Sequence, residues 1–103
     1  MNSLIKVDKA LIPYVFDVRL IGITYTMEIK YNPRHDFFTI AIKKQDGTIL
    51  TSGEKLILNK PILSERLYID FPLITPSDAT LEAKRITWDN FGRTVFLYVG
   101  VQE

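Results

Sequence analysis

The sequence predicts an all-β protein, a small antiparallel β-sandwich or partly open barrel of about six to eight strands. Three observations lead there. Turn-forming residues recur at short intervals, and the runs between them are rich in β-branched and aromatic residues. Within those runs apolar and polar side chains alternate with a period of two. The length of 103 residues suits one domain over 1–103, with residues 1–13 as an N-terminal extension or an edge strand.

The clearest element runs from Tyr14 to Tyr31. Phe16, Val18 and Leu20 alternate with Asp17 and Arg19; beyond Gly22, Tyr25, Met27, Ile29 and Tyr31 alternate with Thr26, Glu28 and Lys30. Each strand therefore has one apolar face, and Gly22 sits where a tight connection needs positive φ. Asn32-Pro33-Arg34-His35-Asp36 breaks the second strand, because Pro supplies no N–H to a ladder. Phe38, Ile40 and Ile42 form the apolar phase of the next strand, which ends at Asp46-Gly47, a strong hairpin signal. Its partner runs from Ile49 to Leu58, and Ser52-Gly53 inside it predicts a bulge or bend. These four strands should form a meander.

The second half reads less plainly. Leu67 to Phe71 is a short strand closed by Pro72. Thr75-Pro76-Ser77-Asp78 reads as a loop or as a helix cap with Pro in the first turn, which would open one short helix near residues 76–85. The alternative is a strand, favoured by Thr80, Ile86, Thr87 and Trp88. Asp89-Asn90-Phe91-Gly92 is a turn, and Arg93 to Val101 is the most β-prone run of the chain.

Composition argues for binding rather than chemistry. Thirteen basic and 12 acidic residues leave a net charge of +1. That balance gives little steering toward nucleic acid or an anionic membrane, and neither is an expected partner. With no Cys there is neither a disulfide framework nor a thiolate metal site. The single His, His35, lies in a Pro-containing turn beside Asp36 and away from any Ser nucleophile motif, so no catalytic residue is assigned. No metal-ligand spacing and no phosphate-binding loop is present, so no metal and no cofactor is expected. The N-terminus lacks the apolar core of a signal peptide, which points to synthesis in the cytoplasm without export.

The aromatic residues carry the remaining information: five Tyr, six Phe and one Trp. Most fall on the buried phase of their strands. Phe96 and Tyr98 fall on the phase opposite Val95, Leu97 and Val99, so the last strand is apolar on both faces. Such a strand is central in its sheet or covered by a partner. Phe37, Tyr68 and Trp88 raise the same question. These five are the candidate interface residues, because aromatics are enriched in interface cores, and a protein partner or self-association follows. Two other readings compete. A carbohydrate- or receptor-binding sandwich would present Trp88 and Tyr68 on a flat face. A single-strand nucleic-acid binder would use Lys30, Arg34, Lys43 and Lys44 with Tyr31 and Phe37.

The ordered features resemble a known family. Leu20-x-Gly22-x-x-Tyr25 leads to Tyr31-Asn32; a strand centred on Phe38 leads to Asp46-Gly47-x-x-Leu50 and Gly53-x-x-Leu56; Asp89-x-Phe91-Gly92-x-x-Val95-x-Leu97-Tyr98 closes the chain. This set resembles the small plug proteins of contractile-tail phage baseplates, across residues 14–99 with little to match between 60 and 86. The resemblance implies a non-enzymatic structural component of a phage or prophage tail, packed against hub, spike or tube proteins, assembled in the host cytoplasm and carried in the virion tail baseplate. In that reading Gly22, Asp46, Gly47, Asp89 and Gly92 hold turns and contact no ligand.

Overall fold

The computed structural model describes residues 3–20, 22–63 and 71–100. Among the described residues, seven strands lie in two antiparallel sheets that do not close into a barrel. β1 (Ser3–Ile5), β7 (Val95–Val99) and β6 (Ile74–Asp78) form a three-stranded sheet with β7 in the middle. β2 (Tyr14–Leu20), β3 (Ile23–Asn32), β4 (Phe37–Lys44) and β5 (Ile49–Lys55) form a four-stranded meander in chain order. The expected sandwich is what the chain adopts.

The meander follows the alternation in the sequence. β2 and β3 pair from Tyr14↔Ile29 to Leu20↔Ile23, leaving a two-residue connection in which Gly22 takes φ +77°. β3 and β4 pair from Tyr25↔Lys44 to Asn32↔Phe37. In this register Tyr25, Met27 and Ile29 share one face with Phe38, Ile40 and Ile42, and all six are buried. Between β4 and β5 the register shifts twice, between Ile40 and Ile42 and again between Ile42 and Lys43. The first shift falls opposite Ser52-Gly53, where a bulge is predicted, and it lets the strand curl without breaking the ladder.

The three-stranded sheet supplies the opposing layer. Ile5, Ile74, Val95 and Leu97 point inward and join the meander's apolar face in one continuous cluster, to which Leu56, Ile62, Leu63, Ile86 and Phe91 also belong. Phe38, Ile40, Ile74 and Leu97 are completely excluded from solvent. Burial on that scale stabilises by about 1.5–3 kcal/mol for each large apolar side chain.

Three expectations are corrected. Residues 75–78, read as a loop or a helix cap, belong to β6, where they pair with β7 from Thr75↔Tyr98 to Asp78↔Val95. Pro76 is admitted because β6 is an edge strand. Its carbonyl faces away from β7 and accepts from the Asn59 N–H at 2.7 Å, so the missing N–H lies on that open side as well. Residues 79–88 form neither a helix nor a strand; they run as turns and bends. Asp78 sets the first of these, by drawing the following backbone N–H groups onto its carboxylate and away from a helical ladder. The partner of β4 ends at Lys55 rather than Leu58, although the Leu56 N–H still donates to the Phe38 carbonyl at 2.9 Å. The strand expected over 67–71 lies outside the described residues except for Phe71, which is not in a strand and packs its ring edge-on to Tyr25 with centroids 5.1 Å apart.

Candidate functional site

A central strand has two sheet neighbours, so its side chains can only point to the core or away from it. In β7, Val95 and Leu97 take the core side; Phe96 and Tyr98 take the other, half-buried, with ring centroids 6.4 Å apart and planes at 86°. The register sets Leu4 and Thr75 on either side of Tyr98, and Ser77 beside Phe96. The outer face of this sheet is thus two aromatic rings bordered by hydroxyls and one aliphatic side chain. It continues into a groove of about 480 Å³ lined by Leu73, Thr75, Ser77, Leu81, Tyr98 and Gly100. Leu81 is 90% exposed and holds φ +64°, at the turn that follows β6.

That turn is built on Asp78, which lies on the inward phase and is only 6% exposed. One carboxylate oxygen accepts from the Thr80 N–H at 2.8 Å and the Thr80 hydroxyl at 2.6 Å; the other accepts from the Ala83 N–H at 2.9 Å. The Thr80 hydroxyl above all, with the neighbouring N–H groups, holds the carboxyl below its usual pKa against the opposing effect of burial. Buried anionic oxygen is tolerated because it is fully bonded.

A second cluster sits at one end of the sandwich. The Trp88 ring packs on Tyr31 and Phe38, at centroid distances of 4.7 and 6.0 Å, and Phe38 meets Phe91 at 4.5 Å. Lys9 places its ammonium 5.0 Å from the centre of the Trp88 ring and donates to the Trp88 carbonyl. Asp36, at φ +55°, ties this end together. Its carboxylate accepts from the Tyr31 hydroxyl at 2.7 Å, the Trp88 N–H at 2.9 Å and the Arg85 guanidinium at 3.0 Å. The Tyr31 hydroxyl first, then the Trp88 N–H and Arg85, lower the Asp36 pKa; the same Asp36 bond raises that of the Tyr31 phenol. The arrangement fastens the β3–β4 turn to the 85–88 segment.

The candidate interface residues are therefore not gathered in one place. Phe96 and Tyr98 share the outer face of the three-stranded sheet. Phe37 points outward from the meander, under the Lys55 ammonium at 4.8 Å and beside His35. Trp88 belongs to the end cluster and is 41% exposed. Tyr68 lies outside the described residues.

The turn residues take the forms their types allow. Gly47 holds φ +95°, and the Asp46 carboxylate accepts from the Thr48 N–H at 2.9 Å. Asp89 pairs with Arg93 at 3.0 Å. Gly92 holds φ +83°, and an added Cβ there would stand 3.2 Å from the Val7 carbonyl. Sequence reasoning placed Asp36 in the Pro-containing turn that breaks the second strand and missed its role, since Arg85 and Trp88 lie about fifty positions away. It missed Asp78 for a different reason: Asp78-x-Thr80 is a usable turn signal, but Thr75-Pro76-Ser77-Asp78 reads as a whole as a loop or a helix cap.

A family model described as Cyanophage baseplate Pam3 plug gp18 matches residues 3–102 and takes in residues 60–86, where the sequence motifs did not reach. No curated protein and no solved structure matches the chain. The chain belongs to this baseplate plug family, and its role is a structural one in a phage tail baseplate, in association with other baseplate components.

Proposed function

We propose that this member of the baseplate plug family is a hub-associated assembly component, non-enzymatic and free of cofactors, folded in the host cytoplasm and docked against hub, spike or tube proteins through the outer face of its three-stranded sheet. The observation that supports this reading is the placement of Phe96 and Tyr98. A strand already buried on one face presents two large aromatic rings on the other, beside Leu4 and an apolar groove. Desolvated aromatics of this kind anchor protein interfaces. The rival glycan-binding reading has less support. It needs a flat free ring, and the Trp88 ring is packed against Tyr31 and Phe38 with Lys9 over it.

The test is co-expression with the hub, spike and tube proteins of the same tail, followed by size exclusion with light scattering. The expected result is a stable complex that is lost with Phe96→Asp or Tyr98→Arg while the circular dichroism spectrum is retained. A complex indifferent to both substitutions would remove this face from the interface. Absence of the chain from purified tails would remove the plug role altogether.

A further inference from the structure

We propose that the edge of β2, open among the described residues, is a self-pairing surface, through which two copies of this chain join their meanders into one continuous antiparallel sheet. Among the described residues four strands lie at sheet edges, and three of them are protected. β1 is only three residues long. β6 carries Pro76, and its open side is covered by the Asn59 and Ile62 N–H groups, which donate to the Pro76 and Ile74 carbonyls at 2.7 and 2.8 Å. β5 is twice shifted in register. Short length, Pro, cover and bulges are the recognised ways of blunting a sheet edge. β2 uses none of these: it is seven residues long, regular in pairing with β3, and contains neither Pro nor Lys, and its two exposed charges, Asp17 and Arg19, are of opposite sign and so need not repel a second strand.

The bonding phase of that edge follows from the hairpin. Leu20 and Ile23 close a two-residue connection and so exchange their N–H and C=O groups, which assigns the even-numbered residues of β2 to β3. Val15, Asp17 and Arg19 then direct their backbone groups to the open side, where no described backbone meets them. Antiparallel pairing with a second β2 must match odd residues with odd. Centred on Val18, it sets Asp17 opposite the partner's Arg19 and Arg19 opposite the partner's Asp17 on the outer face. On the inner face it sets Val18 opposite its own copy and Phe16 opposite the partner's Leu20. The adjacent registers of the same phase set Asp17 against Asp17 or Arg19 against Arg19, which is repulsive.

Three observations favour a second copy as the occupant. The charge pattern is self-complementary in one register alone among these neighbours, as an isologous two-fold contact requires. Arg19 is exposed and makes no ion pair among the described residues. In addition Tyr14, Phe16 and Val18 point to the inner face yet are only half-buried, unlike their neighbours Tyr25, Met27 and Ile29. A strand added beside β2 would cover them.

The inference does not depend on the baseplate role, because the readout is the purified chain alone. Sedimentation equilibrium across a concentration series should show a monomer–dimer equilibrium. Arg19→Asp and Asp17→Arg should each weaken the dimer by at least about tenfold, since each sets two like-charge pairs across the two-fold axis. The exchanged double variant, Asp17→Arg with Arg19→Asp, should restore it. Because Asp17 also accepts from the Thr26 hydroxyl at 2.8 Å, thermal melts must accompany the series; if Asp17→Arg does not fold, recovery by Arg19→Lys of what Arg19→Asp loses decides the matter. A wild-type chain that stays monomeric to its solubility limit, or a dimer unmoved by charge reversal, overturns the proposal.

Discussion

The two sheets are built in opposite ways. The meander β2–β5 is continuous in sequence, each strand pairing with the next through a tight turn. The three-stranded sheet gathers the start of the chain, a segment past its middle and its end, with β7 held between β1 and β6. The meander is specified by local rules, namely alternation, Gly-assisted turns and one Gly bulge. The other sheet exists only because its inward side chains find the meander's apolar face. That contrast bears on function: the sheet that depends most on tertiary contacts carries the outward aromatic pair, and the locally specified sheet carries the unblunted edge.

The sharpest way to break the contrast is to remove core volume from each side in turn. Phe38→Ala in the meander should cost about 3–5 kcal/mol and Leu97→Ala in the opposite sheet about 2–5 kcal/mol. Because both residues belong to one apolar cluster, each should move a single unfolding transition in urea. Two transitions after Leu97→Ala would mean that the meander stands alone.

A smaller effect is expected where the end cluster joins the sheets. The Asp36 pKa is lower in the folded chain than the ordinary carboxylate value, so its bonds contribute stability above that value and lose it as pH falls through the folded one. Trp88 is the single tryptophan and donates its N–H to Asp36, so its emission reports this contact. Acid titration should change Trp88 emission before the global transition, and Asp36→Asn should flatten that early phase. An unchanged acid profile in Asp36→Asn would show that the contact does not hold the two parts together.

The smallest effects separate two turns. Gly92→Ala and Gly47→Ala each impose positive φ on a residue with a Cβ, which costs about 1–2 kcal/mol. At Gly92 the new Cβ also meets the Val7 carbonyl, whereas nothing lies near Gly47. Thermal melts should therefore rank Gly92→Ala as the more damaging, and equal shifts would show that the chain around Val7 yields freely.

Alternation alone determined the strands of the meander and its buried set, because a period of two admits only one face for Tyr25, Met27, Ile29, Phe38, Ile40 and Ile42. It also determined the opposed phases of Val95 and Leu97 against Phe96 and Tyr98; the Gly turns were legible separately, since tolerance of positive φ is a property of the residue itself. The placement of residues 75–78 in a strand came from tertiary structure. Pro76 reads locally as part of a loop or a helix cap, and only an edge position beside β7, with its carbonyl bonded to Asn59, makes it acceptable in a ladder. Tertiary structure likewise decided that Asp36 meets Arg85 and Trp88, because contacts between residues so distant leave no periodic trace in a single sequence. It decided too which strands lie at edges, since edge status belongs to the assembled sheet and not to any run of residues.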